Sequence, residues 1–142
     1  GDKSAIDRVG DVGKAHGVRR AVPLPVSAPF HCVLMQPAAD AMAEALSNVE
    51  IRAPAVPVVA NVRAEAISDP AEIVARLVEQ VTGRVRWRES VLFMTANGIT
   101  DVYEIGAGKV LAGLVKRTAR DLRSASIGLP EDVAEHASAV CG

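Results

Sequence analysis

The sequence has 142 residues, the length of one domain, and 49% are hydrophobic although only 3% are aromatic, so a core must be built from Ala, Val, Leu and Ile. Sixteen Lys and Arg against seventeen Asp and Glu leave a formal charge of -1, which argues against nucleic acid as a partner. Two distant cysteines, Cys32 and Cys141, make no CxxC pair, and no apolar run or leader suggests a membrane span or secretion, so a cytoplasmic soluble protein is expected.

In chain order, Ser4 is a suitable N-cap for a helix carrying Ile6, Val9 and Val12, with Gly17 as its stop. Val22, Leu24 and Val26 alternate with Pro23 and Pro25. Prolines cannot donate to a ladder, so this stretch reads as an edge strand or an extended crossover. A helix is expected from about Met35 to Leu46, with Met35, Ala39, Met42 and Leu46 on one face. The run Val56 to Val62 reads as a short strand. Asp69-Pro70-Ala71-Glu72 is a strong helix start, followed by the stripe Ile73, Val74, Leu77, Val78 and Val81.

Trp87, Val91 and Met94 mark the next helix, which Gly98 would end. Asp101 to Ile105 reads as a strand leading into the turn Gly106-Ala107-Gly108. The last expected helix runs to about Asp121 and buries Val110, Leu111, Leu114 and Val115; Ser124 to Ile127 is the final expected strand. Alternation of this kind predicts an α/β fold with mainly parallel pairing. The chain opens on a helix with no strand before it, as a truncated α/β protein would.

The stretch most informative about chemistry is Pro25-Val26-Ser27-Ala28-Pro29-Phe30-His31-Cys32-Val33-Leu34-Met35. It delivers one histidine to the threshold of a helix, where a neutral, proton-accepting ring is favoured. Taken alone, such a histidine reads more readily as structural. Its surroundings change that reading. The run resembles the histidine motif of the malonyl-CoA:acyl carrier protein transacylases and of related acyltransferase domains in fatty-acid and polyketide synthases. Further segments agree in order and spacing: Pro37-Ala38-Ala39-Asp40, the strand from Ala53-Pro54 to Asn61, Val85-Arg86-Trp87 with Ser90-Val91, and Tyr103-Glu104-Ile105-Gly106-Ala107-Gly108-Lys109-Val110-Leu111. The opening Gly1-Asp2-Lys3-Ser4-Ala5 is similar to part of the family's small inserted subdomain.

The resemblance implies part of an α/β-hydrolase-like acyltransferase domain with half of a ferredoxin-like insertion. Residues 1–26 would belong to the insertion and 27–142 to the C-terminal part of the core. It also implies a two-step transfer of malonyl from coenzyme A to the phosphopantetheine thiol of acyl carrier protein, by way of a serine ester, with no cofactor. By that resemblance His31 is the general base, the backbone carbonyl of Gln80 orients it, and Phe30 lies beside the acyl α-carbon, where a phenyl ring admits malonyl and crowds a methyl branch. Alternatively, Phe30 only packs. The family's Gly-x-Ser-x-Gly elbow occurs nowhere in these 142 residues. The partners implied are therefore acyl carrier protein, malonyl-CoA and the missing N-terminal part of the same enzyme. The competing expectation is a noncatalytic piece that binds acyl carrier protein or self-associates.

Other candidates carry less. Gly106-Ala107-Gly108-Lys109 lacks the first Gly and the Ser or Thr of a phosphate loop, since Tyr103 and Val110 hold those positions. Arg52, Arg63 and Arg86 match no functional position of the family and read as surface charges. Cys32 is an unpromising nucleophile, because adjacent side chains diverge from His31. His16, His31 and His136 lie too far apart to suggest a metal site. Lys116, Arg117, Arg120 and Arg123 form a small basic cluster that is either a solvated face or a contact for an acidic carrier protein.

Overall fold

The computed structural model describes residues 2–141, with side chains through residue 137. Pairing of Cys141 and the setting of Gly1 lie outside the described residues. The chain divides into two successive units, Gly1–Val85 and Arg86–Gly142.

The first unit begins with α1, Lys3–Ala15. It starts one residue ahead of Ser4, and Asp2 holds the cap position without a side-chain capping bond. Its stripe Ile6, Val9 and Val12 has the expected period but stays exposed. The Pro23–Pro25 stretch forms no strand, in keeping with its two missing donors. A short 3-10 turn, Val33–Met35, leads into α2, Gln36–Ser47. Of the four residues expected on its buried face, Ala39 is fully buried and Met42 is exposed.

Strand β1 covers only Val58–Ala60. Pro57 limits it on one side; on the other, a turn brings the Ala64 N–H to the Ala60 carbonyl at 2.7 Å. It pairs antiparallel with β2, Glu65–Ile67, in the register Val58↔Ile67 to Ala60↔Glu65. No strand was expected at β2, and its antiparallel pairing corrects the expectation of mainly parallel order. Helix α3, Pro70–Thr82, starts as its sequence dictates: the Glu72 N–H donates to the Asp69 carboxylate at 2.8 Å, and Pro70 takes the first turn. Its buried Ile73 packs with Ala60 and Ile67.

The second unit holds α4, Trp87–Ala96, then β3, Asp101–Ile105, α5, Val110–Thr118, and β4, Arg123–Ile127. Strands β3 and β4 pair in parallel from Asp101↔Arg123 to Ile105↔Ile127, with α5 as the crossover. Helix α5 ends three residues before Asp121. Ala119 turns to extended backbone, and this carries Leu122 into the core with Val91 and Val115. Trp87, Met94 and Val102 pack around that core.

A final helix, α6, Pro130–Cys141, was not expected. Its start is nonetheless written in the sequence. Pro130 opens the first turn, and the Asp132 carboxylate accepts from the Gly128 and Leu129 N–H groups at 2.9 Å each. Both units thus combine helices with a two-stranded sheet, an α/β fold of mixed pairing. Among the described residues, no helix is long and apolar enough to cross a membrane.

Candidate active site

The extended run before His31 ends in tight local turns. The Phe30 N–H donates to the Ala28 carbonyl at 2.9 Å, and the Met35 N–H donates to the Cys32 carbonyl at 2.9 Å. Between these turns His31 itself adopts φ 59°. A non-glycine residue in this left-handed region is strained unless its surroundings hold it there.

Tertiary packing supplies that hold. Helices α2 and α3 lie against one another, and the 3-10 turn also touches α3. The imidazole consequently meets the C-terminal end of α3, with Nδ1 3.0 Å from the Gln80 carbonyl oxygen. Gln80 is among the last four residues of α3, whose carbonyls lack helical donors. A carbonyl can only accept, so Nδ1 carries the hydrogen and Nε2 is left with a lone pair. The ring remains exposed, so Nε2 can be reached by an outside group.

Phe30 is 51% exposed, and its ring is not a core element of this chain. Cys32 Sγ donates to the Pro29 carbonyl at 3.1 Å, which ties the thiol back into its own loop. Among the described residues, no three His, Cys, Asp or Glu side chains converge to hold a metal ion.

The arginines set aside above are engaged locally. Arg52 faces Glu50 at 3.0 Å, Arg63 faces Glu79 at 3.4 Å, and Arg86 faces Glu89 at 3.5 Å. The basic cluster is also divided. Arg123 binds Asp101 through two bonds of 2.6 and 2.7 Å, and Arg117 Nε donates to the Gly113 carbonyl at 3.2 Å. Lys116 and Arg120 are exposed.

Glu104, in the segment Tyr103-Glu104-Ile105-Gly106, has a structural role that the sequence reading does not assign. Its carboxylate accepts from the N–H groups of Leu111 at 3.2 Å and Ala112 at 2.8 Å, at the start of α5. The Ala112 N–H is the main cause holding this carboxyl below its usual range. The helix end behind Gly106-Ala107-Gly108 is therefore filled by an internal anion, which removes the phosphate-loop reading on structural grounds. The available signal was an acidic residue at the end of a strand, one turn and a glycine pair ahead of a helix.

No protein-family model matches the chain. The malonyl CoA-acyl carrier protein transacylase of Salmonella typhimurium is 46% identical over 130 residues, covering 92% of this chain and 42% of that protein. The transacylase of the same name from Bacillus subtilis is 40% identical over 133 residues, covering 94% and 42%. The chain thus spans about 42% of the length of the curated relatives it matches. Among solved structures, the acyl-carrier-protein-S-malonyltransferase of Bartonella henselae superimposes with a TM-score of 0.92 at 46% identity, over 100% of this chain and 45% of that one. A malonyl-transacylase in complex with its type II PKS acyl-carrier protein superimposes with a TM-score of 0.87 at 42% identity, over 94% and 43%.

Proposed function

Because the chain is homologous over nearly its whole length to part of the malonyl CoA-acyl carrier protein transacylases, we propose that it is the C-terminal, histidine-bearing portion of such a transferase. In this reading residues 27–142 contribute to an α/β-hydrolase-like core, and residues 1–26 to a ferredoxin-like insertion. The serine and its Gly-x-Ser-x-Gly elbow come from polypeptide outside these 142 residues.

The observation that carries the reading is the bond from His31 Nδ1 to the Gln80 carbonyl at 3.0 Å. It leaves Nε2 as the free base. The serine hydroxyl attacks the malonyl thioester carbon while Nε2 takes its proton. The tetrahedral intermediate then expels the coenzyme A thiolate, which recovers that proton from the imidazolium. In the second half the phosphopantetheine thiol of acyl carrier protein gives its proton to Nε2, attacks the malonyl-serine ester, and the serine oxygen takes the proton back. No cofactor enters either half. The Gln80 carbonyl fills the place an Asp holds in a triad, fixing the tautomer and facing the imidazolium with a partial negative charge. Phe30, next to this base and half-exposed, would border the acyl α-carbon.

In the complete enzyme His31→Ala should slow acylation of the serine by malonyl-CoA by a factor of about 10² to 10⁴, the scale of a positioned general base. Single-turnover acylation with the fold monitored by circular dichroism measures it. Near-normal acylation by the folded variant would refute the assignment.

A further inference from the structure

The end of α3 holds a polar group that neither the packing nor the proposed reaction has used. Side-chain oxygen Oε1 of Gln80 is buried and meets no hydrogen-bond partner, a situation native structures seldom keep without a reason. The other end of the amide supplies one. Its Nε2 donates to the Gly83 carbonyl at 3.2 Å and lies 3.5 Å from His31 Nδ1. Turning the amide over would set Oε1 against the Gly83 oxygen, acceptor facing acceptor. Burying Oε1 without a partner is thus the consequence of aiming Nε2 at the helix end.

Gly83 is a firm anchor for that bond. Its N–H donates to the Glu79 carbonyl at 2.8 Å. A Cβ at this position would lie 2.8 Å from the Glu79 oxygen and 2.8 Å from Val62 Cγ2. The backbone here therefore has little room to shift. The carboxamide spans from this fixed carbonyl to the flank of the imidazole. At 3.5 Å its contact with Nδ1 is too long to compete with the 3.0 Å bond to the Gln80 carbonyl.

We propose that the side chain of Gln80, in addition to its carbonyl, is a positioning group for His31. It braces the last turn of α3 through Gly83 and so keeps the Gln80 carbonyl aimed at Nδ1, which holds the ring in one tautomer and one orientation. The mechanistic value of this rests on His31 being the general base, but the tautomer can be observed without any reaction.

The test uses the full 142-residue chain labelled with 15N at histidine, in which the two ring-nitrogen shifts of His31 report its tautomer. Gln80→Ala and Gln80→Met both keep the carbonyl and remove the carboxamide; Met also keeps length and helix propensity. In the unaltered chain Nδ1 should show the protonated shift and Nε2 the unprotonated one. In both variants the two shifts should move toward each other as the second tautomer becomes populated. A wild-type ring already divided between tautomers, or a wild-type pattern in Gln80→Met with α3 intact, would overturn the proposal. If Gln80→Ala unravels α3, Gln80→Met alone decides. In the complete enzyme the same variant should lower kcat for acylation and leave KM for malonyl-CoA unchanged. Shifted nitrogens with unaltered kcat would count against His31 as the base, not against its positioning by Gln80.

Discussion

At the scale of single residues, Phe30 and His31 are set by constraints of different kinds. The His31 backbone is held at φ 59° by its neighbours, whereas Phe30 presents half its surface and makes no contribution to the core. The proposed function would set that open ring beside the acyl α-carbon. Phe30→Ser in the complete enzyme should raise methylmalonyl transfer relative to malonyl by the equivalent of about 1–3 kcal/mol, the usual worth of one methyl group in a pocket. The quantity to compare is the ratio of kcat/KM for the two thioesters, because a looser His31 would lower both. An unchanged ratio in a well-folded variant leaves Phe30 with no part in selection. The motif around His31 could be read from the chain because its residues are contiguous. The partnership with Gln80 was available only through resemblance, since 49 positions separate the two. The positive φ and the close quarters of Gly83 left no mark in the sequence, because both arise from how α3 meets its surroundings.

Among the elements, β3 and β4 are joined at their starts by a charged clamp. Arg123, then Thr100, holds the Asp101 carboxyl down to about 2 from its ordinary 3.8. A carboxyl depressed in the folded state adds stability that is fully present above its unfolded value. That contribution should persist down to about pH 4 and be lost as the pH falls toward 2. Arg123→Gln should return the Asp101 titration toward 3.8 and remove this part of the acid dependence. Carboxyl NMR of Asp101 measures the titration, and an unshifted Asp101 in the native chain would contradict it. Element legibility followed length and punctuation. Helix α3 announced itself through Asp69, Pro70 and a long apolar stripe. Strand β2 did not, because Glu65-Ala66-Ile67 is too short to show alternation and exists by pairing with β1. The end of α5 was misplaced because helical spacing continues through Leu122, whose burial requires the backbone to leave the helix at Ala119.

For the molecule as a whole, the surface is the outstanding quantity. Both units leave large apolar side chains open, with Leu24, Val33, Ile105 and Val110 each more than two-thirds exposed. Surfaces of this kind seek cover. The 142-residue chain alone should therefore associate, eluting above its monomer mass in size-exclusion chromatography at micromolar concentration. A sharp monomer peak with a cooperative thermal transition would show that it is satisfied by itself. The division into Gly1–Val85 and Arg86–Gly142 also bears on the order of events during synthesis. Each core is assembled from one contiguous stretch, so the first can close before the second has left the ribosome. Within that first stretch, the bond from His31 to Gln80 spans 49 residues and closes a long loop that only the docking of α3 makes affordable. The geometry of His31 is thus expected to arise late in folding of this unit and to be the first released when the end of α3 frays.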